Sequence, residues 1–222
     1  MSAPDLELTG VPSPEFTVLD ARPDRAAGVP TLKLDLDIAE PSGLLVYTIA
    51  LHVQVQFEPA RREHDEETRA RTLELFGPPE RWGKTAGSMP WMALDALVPS
   101  FTGRTTFSLS FPCGFDHEVA ATRYCGALRE GTIPLDLHFN GTVFHRGPDG
   151  RLQVSMVPWS AVARYDLSWE TWGAAIHGYY PTGGWVALST DTMEQLTALR
   201  ADLGVSYDAC IGRLLAERGE GE

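Results

Sequence analysis

The chain has 222 residues, enough for one large domain or two small ones. Its 18 Lys and Arg stand against 30 Asp and Glu, a net charge of −12. That balance argues against a nucleic-acid-coating protein and against a binder of anionic membranes, since both need a basic surface. Hydrophobic residues make up 43%, with six Trp, nine Phe and six Tyr, so the chain can bury a core. Twenty-one glycines and sixteen prolines imply many turns and a β-rich fold. The opening MSAPDLELTG has neither a basic n-region nor an apolar h-region, and no run approaches 18 apolar residues. Neither a signal peptide nor a membrane span is expected. Three cysteines without framework spacing (Cys113, Cys125 and Cys210) fit a reduced, cytoplasmic protein.

The first 28 residues hold four prolines and a weak strand, Glu15–Asp20. In Thr31–Ile38 (TLKLDLDI), Leu32, Leu34, Leu36 and Ile38 share one face and Lys33, Asp35 and Asp37 the other, the pattern of a half-buried antiparallel strand. After Pro41-Ser42-Gly43, Leu44–Phe57 alternates again, with Leu45, Tyr47, Ile49, Leu51, Val53, Val55 and Phe57 forming the apolar row. At roughly 3.3 Å per residue this strand exceeds 40 Å, so a bend or bulge is expected. The short turn predicts that the two strands form a hairpin. Asp65–Phe76 reads as a helix capped by Asp65 and stopped by Gly77-Pro78-Pro79. Gly77–Pro99, with Trp82, Trp91 and four prolines, reads as an irregular loop packed by its own aromatics. Arg104–Phe111 alternates with Thr105, Phe107, Leu109 and Phe111 inward. Leu135–His145 and Arg151–Val157 form a second hairpin, for which Pro148-Asp149-Gly150 supplies the turn. Ser168 caps a helix that places Trp169, Trp172 and Ile176 on one stripe. Trp185–Leu188 reads as a short strand. Thr192–Leu203 and a final Ser206-capped helix follow, with Gly204 between them. The fold class is α+β: an antiparallel sheet, with folding into a sandwich as one option, and helices at the C-terminus.

Cys113, His117 and Cys125 fall within thirteen positions, and sulfur with imidazole is what zinc prefers. The C-x3-H-x7-C spacing has no CxxC knuckle and no obvious fourth ligand, so buried or loop cysteines explain it better. His138 and His145 lie seven apart, on opposite faces of an unbulged strand, and cannot share a ligand. Asp35 and Asp37 share a face and are capable of acid–base work, but a solubilising outer face neutralised by Lys33 accounts for them equally. No GxSxG, HExxH, Walker A or GxGxxG motif is present, and no cofactor or catalytic residue is expected. Most of the tryptophans read as core and loop anchors. Trp82, Trp91, Tyr179, Tyr180 and Trp185 are the candidates for a partner-binding surface, because aromatic side chains dominate binding hot spots.

Three resemblances attach to particular segments. Pro30–Ile38 with Val46–Val55 resembles the strand region of the export chaperone SecB over about 40 residues, which implies an antiparallel sheet followed by helices. Trp185–Glu217 is similar to a ribbon-helix-helix module. In that family a dimeric ribbon reads the major groove, but Trp185–Leu188 offers no base-reading side chain, and from Asp191 onward seven acids face three arginines. Residues 185–218 thus form a candidate strand–helix–helix subdomain of a single domain, 1–222. Over nearly the whole chain, and most clearly in Gly141–Trp159 (GTVFHRGPDGRLQVSMVPW) and Tyr179–Trp185 (YYPTGGW), the sequence resembles an uncharacterised bacterial domain family associated with [NiFe]-hydrogenase gene clusters, which implies an accessory or assembly role. The reading is a non-enzymatic binding or assembly protein with a protein partner, able to form a homo-oligomer, and with no nucleic acid or membrane to bind. The alternatives are a metal-binding protein or enzyme using Cys113, His117 and Cys125, and a DNA-binding regulator, which the acidic charge disfavours.

Overall fold

The structure, a computed structural model, describes residues 11–78, 81–82, 87–113, 119–179 and 188–219. The chain divides into two compact units, Met1–Thr182 and Gly183–Glu222. The first contains strands β1 (Glu15–Pro23), β2 (Thr31–Ala39), β3 (Leu45–Phe57), β4 (Met89–Val98), β5 (Phe101–Thr102), β6 (Arg104–Pro112), β7 (Thr132–Arg146), β8 (Leu152–Met156) and β9 (Val162–Ser168). Its helices are α1 (Glu66–Arg71), α2 (Leu73–Phe76), α3 (Val119–Ala127) and α4 (Trp169–Tyr179). The second unit is a helical pair, α5 (Thr190–Leu203) and α6 (Tyr207–Gly219). Among the described residues no helix is long and apolar enough to cross a membrane.

Every strand pair is antiparallel. One sheet runs β1-β2-β6; the other runs β4-β3-β7-β8, with β5 also on β3 and β9 also on β7. The alternation read in the sequence sets the inner faces. Leu32, Leu34, Leu36 and Ile38 of β2 are buried, as are Ile133, Leu135, Leu137, Phe139 and Val143 of β7. The rings of Phe16 on β1 and Phe139 on β7 stack 4.3 Å apart, and Trp91 on β4 lies 6.2 Å from Phe111 on β6. These pairs join one sheet to the other, so the fold is a sandwich with a shared core. The α+β class holds, with helices mainly toward the C-terminus.

The first expected hairpin does not exist. β2 pairs with β1 and β6, whereas β3 pairs with β4, β5 and β7. Pro41-Ser42-Gly43 therefore carries the chain from one sheet to the other. Each strand has a single apolar face, and the arch lets the two faces bury each other across the core instead of lying side by side. Glu40 holds this corner. Its buried carboxylate accepts hydrogen bonds from Ser42 N (3.2 Å), Ser42 Oγ (2.5 Å) and Ser13 N (3.3 Å), while its own N–H donates to Gly103 O at 2.6 Å.

The bulge expected in β3 falls at Val46/Thr48. It turns both Val46 and Ile49 inward and leaves Tyr47 outside, so Leu45 and Tyr47 do not belong to the buried row. The Asp65 cap is present, its Oδ1 accepting from Thr68 N at 2.6 Å, but the helix breaks at Thr72, whose hydroxyl donates to Thr68 O at 2.7 Å. Residues 89–98 are a strand and not a loop. Pro90 is tolerated because β4 is an edge strand, and a register shift opposite Val55/Gln56 gives Trp91 an extra position facing the core. The β7–β8 hairpin, its Gly150 at φ 79°, and the Ser168 and Ser206 caps are found where the sequence puts them. Helix α3 has no counterpart in the sequence reading. The expected strand Trp185–Leu188 lies outside the described residues except for Leu188.

Candidate binding surface

Two of the three residues of the sulfur-bearing cluster fall on described positions. Cys113 follows β6 directly, and Cys125 sits on α3; both are buried. The Cys113 thiol donates to Phe111 O at 3.3 Å. Burial pushes this thiol up to about 12, and pushes Cys125 well above its ordinary value, with the neighbouring Cys113 adding to the effect. Without a bound cation both sulfurs are thus protonated at neutral pH, which does not favour them as nucleophiles. His117, the third member of the pattern, lies outside the described residues. Among the described residues no group of three His, Cys, Asp or Glu side chains stands close enough to hold a metal ion.

The aromatic candidates separate. Trp91 is 5% exposed and stacks on Phe57 at 4.7 Å. Trp82 is half-buried: its Nε1 donates to Gly77 O at 2.9 Å, and its ring meets Phe76 at 5.3 Å and His64 at 5.1 Å. Tyr124 links the two tryptophans, packing edge-on against Phe57 and Phe76 and sharing a 3.2 Å hydrogen bond with His64 Nε2. Burial, followed by the charge of Arg62, lowers the His64 pKa, and burial raises that of Tyr124. Trp91 on β4 therefore belongs to the core, which corrects its reading as a loop aromatic, while Trp82 packs at the edge of that core against Phe76 of α2. Tyr179, at the end of α4, donates through its hydroxyl to Gly28 O. Tyr180 and Trp185 lie outside the described residues.

The polar candidates are mostly tied to neighbours. Arg22 and then Ser108 hold the Asp35 carboxyl below its usual range. Asp37 meets Arg104 at 3.3 Å, Lys33 meets Asp24 at 2.9 Å, and His52 Nδ1 meets Asp95 at 2.7 Å. His145 is buried on the inner face of β7 and His138 is half-buried on the outer one, as their odd spacing predicts.

The surface that stands out was missed in the sequence. On the outer face of the six-stranded sheet, Leu97, Ala50, Thr142 and Met156 form a continuous cross-strand row over β4, β3, β7 and β8. Thr48, Phe144 and Val154 form the next. Leu97 is 70% exposed, Met156 64%, Leu152 62% and Val154 57%; Trp159, three residues beyond β8, is 94% exposed. The available signal was the uncharged strand Leu152–Met156 (LQVSM), followed by a tryptophan. A period-2 pattern does not say which of its faces is covered. The hairpin is also distinctive in charge: from Gly141 to Trp159 two arginines (Arg146, Arg151) stand against Asp149 alone, in a chain whose net charge is −12.

Comparison with curated proteins finds no match. Among solved structures, the CARDB domain of a Pyrococcus furiosus protein in complex with two metal ions is similar at 11% identity, covering 75% of this chain and 98% of its own, with a TM-score of 0.26. A protein described as late embryogenesis abundant is similar at 14% identity, covering 73% and 75%, with a TM-score of 0.32. A β-glucosidase from Kluyveromyces marxianus is similar at 8% identity over 72% of this chain and 15% of its own, with a TM-score of 0.26. The family match reaches much further along the chain: residues 11–222 take in every strand and helix described above, and by that match the chain belongs to the family of unknown function DUF6084.

Proposed function

We propose that the protein is a non-enzymatic binding or assembly protein that engages a protein partner through the outer face of its six-stranded sheet around β8. The observation that carries this reading is the apolar row ending at Met156, with Trp159 94% exposed nearby. Contiguous exposed apolar surface marks an interaction site more often than isolated apolar side chains do, and tryptophan is the residue most enriched at binding hot spots. The sandwich core is already filled from both sheets, so this face is not needed to complete the fold. The resemblance of Gly141–Trp159 to a family associated with [NiFe]-hydrogenase genes points to a partner among proteins that assemble that enzyme. The proposal places the chain in the cytoplasm, where its three unpaired thiols stay reduced.

The test is co-purification of the tagged full-length chain from its native cells, beside a Val154→Ser/Trp159→Ala variant. Wild type is expected to bring down a partner that the variant loses, while the thermal midpoint of the variant stays unchanged. A wild-type chain of strictly monomeric mass that recovers no partner overturns the proposal.

A further inference from the structure

We infer that β8 accepts an extended segment of a partner protein as an added strand, and that this segment alternates apolar with acidic residues. The inference rests on the binding-surface reading above and adds the form and chemistry of the occupant.

Among the described residues β8 pairs with β7 alone, so its second edge presents unpaired backbone donors and acceptors. Natural edge strands are usually guarded by an inward charge, a lysine, a proline or a bulge. Leu152–Met156 has none of these, and its pairing with β7 runs without a register shift. On its inner side Gln153, opposite the buried His145, is exposed, whereas the Ser155 hydroxyl is buried. The free groups call for a backbone in extended conformation.

Side chains define the rest of the occupant. Leu152, Val154 and Met156 project on one face at two-residue spacing, which matches apolar residues at every second position of an added strand. Arg146 and Arg151 are exposed at the hairpin end of this stretch, with Asp149 as the acid between them, 3.8 Å from Arg151. Their local excess of positive charge favours acidic side chains at the intervening or flanking positions. Five residues of pairing span about 17 Å, within the range of short strand-addition motifs.

The experiment titrates the full-length chain into fluorescein-labelled nonapeptides and reads anisotropy. The probes are an alternating valine–glutamate peptide, its valine–lysine counterpart, and two valine–glutamate peptides N-methylated at one or the other alternate set of amides. The glutamate peptide is expected to saturate, with the lysine peptide at least roughly tenfold weaker. Methylation in one register is expected to weaken binding by at least about tenfold and to leave the other register nearly unchanged, because only alternate amides face the neighbouring strand. An Arg146→Glu/Arg151→Glu chain is expected to lose the preference for glutamate. Equal binding of the two methylated registers overturns strand addition while leaving the surface reading of the previous section intact. Equal binding of the lysine peptide, the absence of any peptide binding, or a dimer abolished by Val154→Lys each overturns this inference as well. The surface reading fails separately, if no partner is captured in the co-purification.

Discussion

Gly141 lies where β7 passes close to β3. Its φ is +145°, and a Cβ added there would come within 2.1 Å of Ala50 O. Both conformation and space exclude a side chain, so Gly141→Ala is expected to cost about 2–4 kcal/mol. Gly103, with φ +71° and nothing within 4 Å, has the conformational constraint alone, and Gly103→Ala is expected to cost about 1 kcal/mol. Urea midpoints of the two variants check the order, and a Gly141→Ala chain as stable as Gly103→Ala would contradict the close approach. His64 makes a pH prediction. Its pKa is lowered in the fold, by burial first, so the unfolded chain takes up the proton more readily. Stability is therefore complete above the unfolded value of about 6.5 and falls as pH drops below it toward the folded value. Unfolding free energies measured near pH 7.5 and pH 5.5 should show a loss in wild type that His64→Gln reduces; an equal loss in both chains would remove His64 as the cause.

Among the elements, caps were easier to read than partners. Asp65, Ser168 and Ser206 act on amides three residues downstream, a local geometry that the sequence spells out. The failure at Pro41-Ser42-Gly43 is of another kind. The alternation of β2 and β3 identifies two strands and their apolar faces, but an arch between sheets and a turn within one sheet fit the same pattern. The arch depends on Glu40 meeting Ser13 and Ser42, and on its backbone N–H reaching Gly103 O. Glu40→Ala strips three donors of their acceptor in a buried corner and is expected to cost about 1–3 kcal/mol, with Glu40→Gln costing less because it keeps one accepting oxygen. Chemical denaturation of both variants checks this, and an Ala variant no less stable than Gln would contradict it.

At the scale of the whole molecule the two units differ in how they bury side chains. The sandwich has a broad core, whereas in the described part of the helical pair Cys210 is the one buried side chain and none on α5 is buried. Small units with little buried apolar surface open at low free-energy cost. A thiol reagent applied to the native protein is therefore expected to modify Cys210 first, with Cys113 and Cys125 reacting only as the sandwich unfolds. Peptide mass mapping over time reads the order, and simultaneous modification of all three would show that the units open together.

By itself the sequence determined the strands whose alternation is regular, the helix caps, the β7–β8 turn and an acidic charge poorly suited to binding nucleic acid. These are properties of near neighbours along the chain, fixed by periods of two and 3.6 residues and by side chains reaching adjacent amides. Only the tertiary structure decided that β2 and β3 belong to different sheets, that Trp91 is core, and that Trp159 and one face of β8 remain in water. A strand's pattern shows that one side is apolar; whether that side is covered depends on what packs against it from distant parts of the chain.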